Sequence, residues 1–231
     1  MTEMPVGGHQ ASSVAAAVRV QILATEHWSL LATRSMTWSE VMSRITIHLT
    51  VASAALVVLA LVVQASGFGT GFHVLSIGLA SCVLILGTLT GVRVRNASVE
   101  DHAAIMGMNR LRAAYVEVDP TLTDYLITSW RDDAAGVMRT YALGTRRHPV
   151  AHVVGSTNLF MTSVNTIVAG TLGSLIAGAG GAAPWLITLA GTASALIYLA
   201  VMIAIARRSF EHTPLDSKFP SPPPSGAPRT D

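Results

Sequence analysis

Asn158, Thr162 and Asn165 recur at intervals of four and three residues, and Ala169 and Gly173 continue the series, so on a helix all five share a face. Amides and hydroxyls arranged this way support two kinds of chemistry. They can hydrogen-bond across to a neighbouring helix, or they can line a pore or pocket for a small polar ligand, within one chain or around an oligomer axis. The surroundings make the choice consequential. No Lys, Arg, Asp or Glu occurs from Ile45 to Val92, and none from His148 to Ala206. A charge at a bilayer centre costs about 2.5–3.5 kcal/mol even on the lenient insertion scale, so blocks of this length with no charge indicate lipid as solvent. An unpaired amide is costly in lipid too, so the Asn165 face must look at protein or water.

Other residue types that could do chemistry are sparse. The phosphate-binding loop, the paired-His zinc motif and the Ser nucleophile elbow are missing. His148 and His152 stand four apart, but Pro149 lies between them and no third ligand is evident, so no metal centre and no cofactor are expected. Glu100-Asp101-His102 reads as acids at a helix start, favoured by the helix dipole. Asn96-Ala97-Ser98 fits a glycosylation acceptor but falls on the cytoplasmic side, where it is without use. No acid or base sits in mid-span, which weighs against proton- or sodium-driven transport. His48 lies one turn inside the first apolar block and is expected to reach for headgroups, with His73 its counterpart at the far edge. Cys82 is alone, so no internal disulfide forms. A formal charge of +2 is too small to argue for nucleic-acid binding.

Four apolar helices must position these residues. The first apolar block resolves into spans at about 46–64 and 72–92, separated by Ala65-Ser66-Gly67-Phe68-Gly69-Thr70-Gly71; the second gives spans at about 155–179 and 185–206, separated by a Gly-rich turn ending at Pro184. Twenty helical residues cover about 30 Å, the hydrocarbon thickness. The first run begins near residue 45, so it is expected to be a retained signal anchor rather than a cleaved leader. Gly87 and Gly91 in the second span have the spacing used for close helix pairing, and Gly173, Gly191, Ser194 and Ala195 offer similar small surfaces. All 15 Lys and Arg lie outside the two apolar blocks and their turns. The positive-inside rule then places both termini and the central segment in the cytoplasm of a cell whose plasma membrane the chain crosses four times.

The charged parts read as a helical layer. Residues 1–10 are expected to be disordered. Residues 11–44 form a helix whose Ala17, Gln21, Ala24, Trp28, Leu31, Ser35, Trp38, Met42 and Ile45 follow a heptad period. Three uses of that stripe stay open: packing on cytosolic neighbours, a short coiled coil between subunits, or interfacial anchoring through Trp28 and Trp38. The central segment, 93–154, is expected to hold three short helices. The first is capped by Asn96 or Ser98 and runs to about Val118, the second starts at Asp119-Pro120 and carries Leu122 to Trp130, and the third opens at Asp132-Asp133 and runs to about Leu143, stopped by Gly144 and Pro149. Residues 207–231 read as a disordered tail with polyproline character, and Pro222-Pro223-Pro224 admits a proline-reading partner.

The stretch from Glu26 to Ser35 (EHWSLLATRS), Gly107 to Arg112 (GMNRLR) and Trp130-Arg131-Asp132-Asp133 resemble a group of uncharacterised bacterial membrane proteins over most of the chain, excluding the tail. The resemblance implies no activity. A layout-only likeness to the SLATT membrane effectors, which join a cytosolic helix to a two-span hairpin and are thought to perturb membranes, is departed from by the second hairpin.

The fold expected is an all-α membrane protein with four transmembrane helices as two hairpins (45–92 and 155–206) and a cytosolic helical layer. The function expected is a non-enzymatic, homo-oligomeric scaffold or sensor at the cytoplasmic face, with the bilayer and a cytosolic protein as partners. Its interface residues are Trp28, Leu31 and Trp38, with Arg110, Arg112 and Tyr115. A small channel or transporter using the Asn158, Thr162, Asn165, Gly173 face is the alternative, and a membrane-edge lipid enzyme comes third.

Overall fold

The computed structural model describes residues 7–143, 156–211 and 216–222. Of the disorder expected over 1–10 and 207–231, residues 7–10 and 207–211 are instead helical, as continuations of the neighbouring spans' helices; residues 1–6, the His148–His152 pair, the stops at Gly144 and Pro149 and the proline run beyond Pro222 lie outside the described residues. Five α-helices and one 3-10 turn make up the described chain: α1 (Gly7–Ser66), α2 (Thr70–Val118), the 3-10 turn Pro120–Tyr125, α3 (Ala134–Tyr141), α4 (Thr157–Ala179) and α5 (Pro184–Glu211). No strand occurs among the described residues. Four of the helices are long and apolar enough to cross a membrane, and they follow one another as two hairpins.

The two longest helices carry a membrane span and a charged extension without a break. Nothing in α1 interrupts a helix until Gly67, which takes φ +68°, a conformation open to glycine at little cost, while its N–H donates to the Val63 carbonyl at 2.9 Å. In α2 the expected cap at Asn96 or Ser98 is not formed. No Gly or Pro falls between residues 92 and 106, and the Ser98 hydroxyl donates to the Val94 carbonyl at 2.9 Å, so it is spent within the helix.

The chain divides into two compact units. The charged unit comprises residues 1–36, 99–147 and 215–231, and the apolar unit residues 37–98 and 148–214. In the charged unit, Ile105, Met106 and Met108 of α2 and Val137 of α3 form the core, with Leu30 of α1 and Tyr141 packed on it. In the apolar unit, Val41 and Ile45 of α1, Val94 and Ala97 of α2 and Met161 of α4 form the core, joined by Trp38 and Leu49. α4 meets α5 through small residues: a Cβ at Gly173 would strike Ser194, and one at Gly191 would strike Ser174.

The second central helix is shorter than expected. Asp119 caps it, accepting from the Thr121 N–H at 2.9 Å, but it is a single 3-10 stretch that ends at Leu126 in extended conformation. Ile127, Thr128 and Ser129 follow, residues that favour a helix poorly, so Trp130 lies outside it. α3 begins where expected, with the Asp133 carboxylate accepting from the Gly136 N–H at 2.8 Å.

Candidate functional site

Two polar assemblies stand out, one in each unit. The assembly in the charged unit is built on Asp132, which is fully buried. One of its oxygens accepts from Arg110 Nε at 2.6 Å and from the Lys218 N–H at 2.9 Å; the other accepts from the Ser217 hydroxyl at 2.6 Å and the Phe219 N–H at 2.7 Å. The Asp132 N–H returns a bond to the Phe219 carbonyl. Next to it, Asp133 accepts from the Ser221 N–H at 2.7 Å while still capping α3. Arg131 donates to the Pro220 carbonyl at 3.0 Å, and Arg110 also donates to the Asp216 carbonyl. Residues 216–222, expected to be disordered, are therefore docked, with no helix or strand and a bend at Lys218 and Phe219. Their local composition cannot make a core, but Ser217, Lys218, Phe219 and Ser221, hydrogen-bonded to two buried or half-buried carboxylates, need none.

Burial works to raise the Asp132 carboxyl, but the Ser217 hydroxyl, the Arg110 guanidinium and the Lys218 and Phe219 amides outweigh it and hold the group well below the usual carboxylate range. Asp133 is shifted the same way: burial opposes the shift, while the Gly136 and Ser221 amides drive it. Both acids are thus fixed as anions that accept hydrogen bonds.

The surrounding side chains interlock. Buried Asn109 donates to the Arg131 carbonyl at 2.7 Å and accepts from Arg112 at 2.8 Å and Thr140 at 3.0 Å. Asp101 pairs with Arg34 and accepts from the Tyr141 hydroxyl at 2.8 Å. Its place at a helix start was the wrong explanation, because α2 has no start there; it is a buried ion-pair partner. Burial and then the Asp101 charge push the Tyr141 hydroxyl far above its ordinary range. His27 stacks on Tyr115 with ring centroids 6.0 Å apart. Asn109, Arg110, Arg112 and Arg131 to Asp133, from two of the three sequence stretches quoted above, thus meet in one network, while Arg34, from the third, joins Asp101 and Tyr141. Beside the docked tail lies a groove of about 410 Å³ lined by Leu126, Trp130, Arg139, Ser221 and Pro222 among others, with Arg131 stacked 3.5 Å from the Trp130 ring centroid.

The second assembly is in the apolar unit. Asn165 of α4 and His48 of α1 are both about 1% exposed, and they converge on Gly87 of α2. A Cβ there would collide with Asn165 Oδ1 and lie 2.7 Å from His48 Cε1, while one at Gly91 would meet Asn165 Nδ2 at an ordinary 3.8 Å. Asn165 Oδ1 and both His48 nitrogens are buried without a hydrogen-bond partner. His48 does not reach outward as expected. It continues the inward series Trp38, Val41, Ile45, whose spacing of three, four and three was the signal that could have placed it.

The expected polar face of the third span divides. Asn165 and Ala169 are buried, Asn158 and Thr162 are half-buried, and Gly173 packs against α5 instead. The expected interface set divides as well. Trp28 and Leu31 are exposed, Trp38 packs on the core of the apolar unit, and Arg110, Arg112 and Tyr115 are engaged within the charged unit. Among the described residues, no group of three or more His, Cys, Asp or Glu side chains is placed to hold a metal ion.

These features define an all-α, multi-pass membrane protein with buried ion pairs in the charged unit and one unpaired polar cluster in the apolar unit. Compared with protein-family models, with curated proteins and with solved structures, the chain matches none.

Proposed function

We propose that this chain is a non-enzymatic scaffold or sensor of the plasma membrane, oligomeric, with both termini and the charged unit on the cytoplasmic side. One observation carries the reading: the segment that follows the last span is docked, residues 216–222, on Asp132 and Asp133. Only four residues separate the end of α5 at Glu211 from the docked segment at Asp216. The contact is made of hydrogen bonds that water can replace. Such a contact suits a two-state element that ligands, lipids or partners can bias. The two acids nearest the groove are held as anions by their hydrogen bonds, which suits gripping a peptide better than exchanging protons with a substrate.

Asp132→Asn tests the reading. It keeps the shape and removes the charge. Hydrogen–deuterium exchange on the protein in lipid nanodiscs should show residues 216–222 losing protection while the spans keep theirs. Unchanged protection of the tail would contradict the latch.

A pore or small-ligand reading is favoured by a different observation, the unpartnered Asn165 Oδ1 and His48 nitrogens. In a Cys82→Ser background, Asn165→Cys would react with a membrane-impermeant thiol reagent if that face meets water, and would stay unreactive if it packs only against protein.

A further inference from the structure

Residues 14–36 of α1 carry a second apolar face, opposite the one that packs inward. Leu23, His27, Leu30 and Arg34 point into the charged unit. On the other side Val14, Val18, Gln21, Thr25, Trp28, Ala32 and Ser35 follow one another at spacings of four and three, and every one is exposed. The seam is flanked by Ala15, Ile22, Ser29 and Met36 on one edge and Ala17, Ala24 and Leu31 on the other. Trp28 is 69% exposed, Ile22 64% and Met36 73%. None of these fourteen side chains is charged, and Arg19, Glu26 and Arg34 all fall elsewhere on the helix. The Thr25 hydroxyl is spent on the Gln21 carbonyl at 2.9 Å, leaving its methyl group to face out.

A 3.5-residue repeat of this kind keeps one side of a helix facing a partner helix over its length. The expected stripe shares Gln21, Trp28 and Ser35 with the exposed seam, but its Trp38 packs on the core of the apolar unit.

We infer that this seam pairs with the same seam of a second copy of the chain, as a parallel two-helix contact. The inference rests on the oligomeric reading proposed above and names its surface. A membrane surface is the other natural cover for an apolar helix face. However, a helix that lies in a membrane surface carries Lys and Arg beside its apolar face, whereas this seam holds Gln21, Thr25 and Ser35 within it and no basic residue on either flank. Copies inserted the same way present α1 in parallel, so each seam residue meets its own counterpart. The uncharged flanks mean that no like charges oppose each other across the pair, and Gln21 beside its counterpart supplies a polar contact of the kind that fixes register. Twenty-three residues make a face about 34 Å long and about 10–12 Å wide. Two such faces cover about 700–800 Å², short of the about 1,200 Å² of a stable free-standing interface. Confinement of both copies to one membrane makes up the difference by raising their effective concentration.

The test uses the full chain in native membranes with Cys82→Ser. Single cysteines are placed on the seam (Val18→Cys, Thr25→Cys, Ala32→Cys) and off it (Glu26→Cys, Thr33→Cys), then mildly oxidised. Disulfide-linked dimers should form at least five-fold more at the seam positions. Adding Trp28→Lys to Val18→Cys, which sets like charges against each other, should abolish that cross-link while residues 216–222 keep their hydrogen-exchange protection. Equal cross-linking on and off the seam, or quenching of Trp28 fluorescence by brominated lipids, overturns the inference. Particle mass in nanodiscs separates the two levels. Several copies per particle without seam cross-links overturn the seam and leave the oligomeric scaffold standing, whereas one copy per particle overturns both.

Discussion

The two units treat their buried imidazole, amide and carboxylate side chains in opposite ways. In the charged unit, Asp101, Asn109 and Asp132 are buried and each is matched by named donors or acceptors. In the apolar unit, His48 and Asn165 are equally buried, yet neither His48 nitrogen nor Asn165 Oδ1 has a partner, and His73 Nδ1 is in the same condition. A matched network confers a unique arrangement, because every member loses its bond when one moves. An unmatched pair confers nothing of the kind, and an unpaired polar atom there costs about 1–3 kcal/mol. The charged unit therefore looks built for specificity. The apolar unit is built for close approach, with Gly87 admitting Asn165 and Gly173 admitting Ser194.

The largest break in this contrast should come from Asp132→Ala. It strands the Arg110 guanidinium and frees the tail, and it should cost the charged unit about 3–5 kcal/mol, read as a drop in its denaturation midpoint. Acid should reach the same end gradually. The Asp132 carboxyl is held below its ordinary value in the folded protein, so its contribution is complete above the ordinary carboxylate value of about 4 and is lost as pH falls from there toward the depressed value. Tail protection measured against pH should be flat near neutrality and fall on the acid side; a fall near pH 6–7 would point to a histidine instead. In the apolar unit, Gly87→Ala should cost about 1–3 kcal/mol by overpacking, whereas Gly91→Ala, with its nearest neighbour at 3.8 Å, should cost less than about 0.5 kcal/mol. Comparable losses at the two glycines would mean that Asn165 does not sit on Gly87. The smallest effect expected is that of Ser217→Ala, about 1 kcal/mol, seen only as faster exchange in residues 216–222.

The sequence exposed the spans clearly and the site poorly, for a physical reason. Lipid solvation acts on every residue of a span, so Ile45–Val92 and His148–Ala206 announce themselves through the absence of charge. Caps at Asp119 and Asp133 were legible for a related reason, since each acts within three residues of its own position. Asn165 was legible as a polar residue that needed shelter, but not that Gly87 and His48 would provide it, because three helices contribute and register between helices leaves no local mark. The docked tail was hidden more completely. Its residues carry no core-forming pattern, and what holds them is a pair of acids some 85 positions earlier in the chain. Ser98 misled in the other direction: a good cap by type, it sits in the middle of α2 with its hydroxyl turned back on the helix.

Ion flux from liposomes reconstituted with the intact protein tests most directly the claim that the apolar unit anchors while the charged unit acts. Wild type and Asn165→Leu should both give no flux above that of empty liposomes. Flux in the wild type that Asn165→Leu abolishes would contradict the account and make the Asn165 face the wall of a pore.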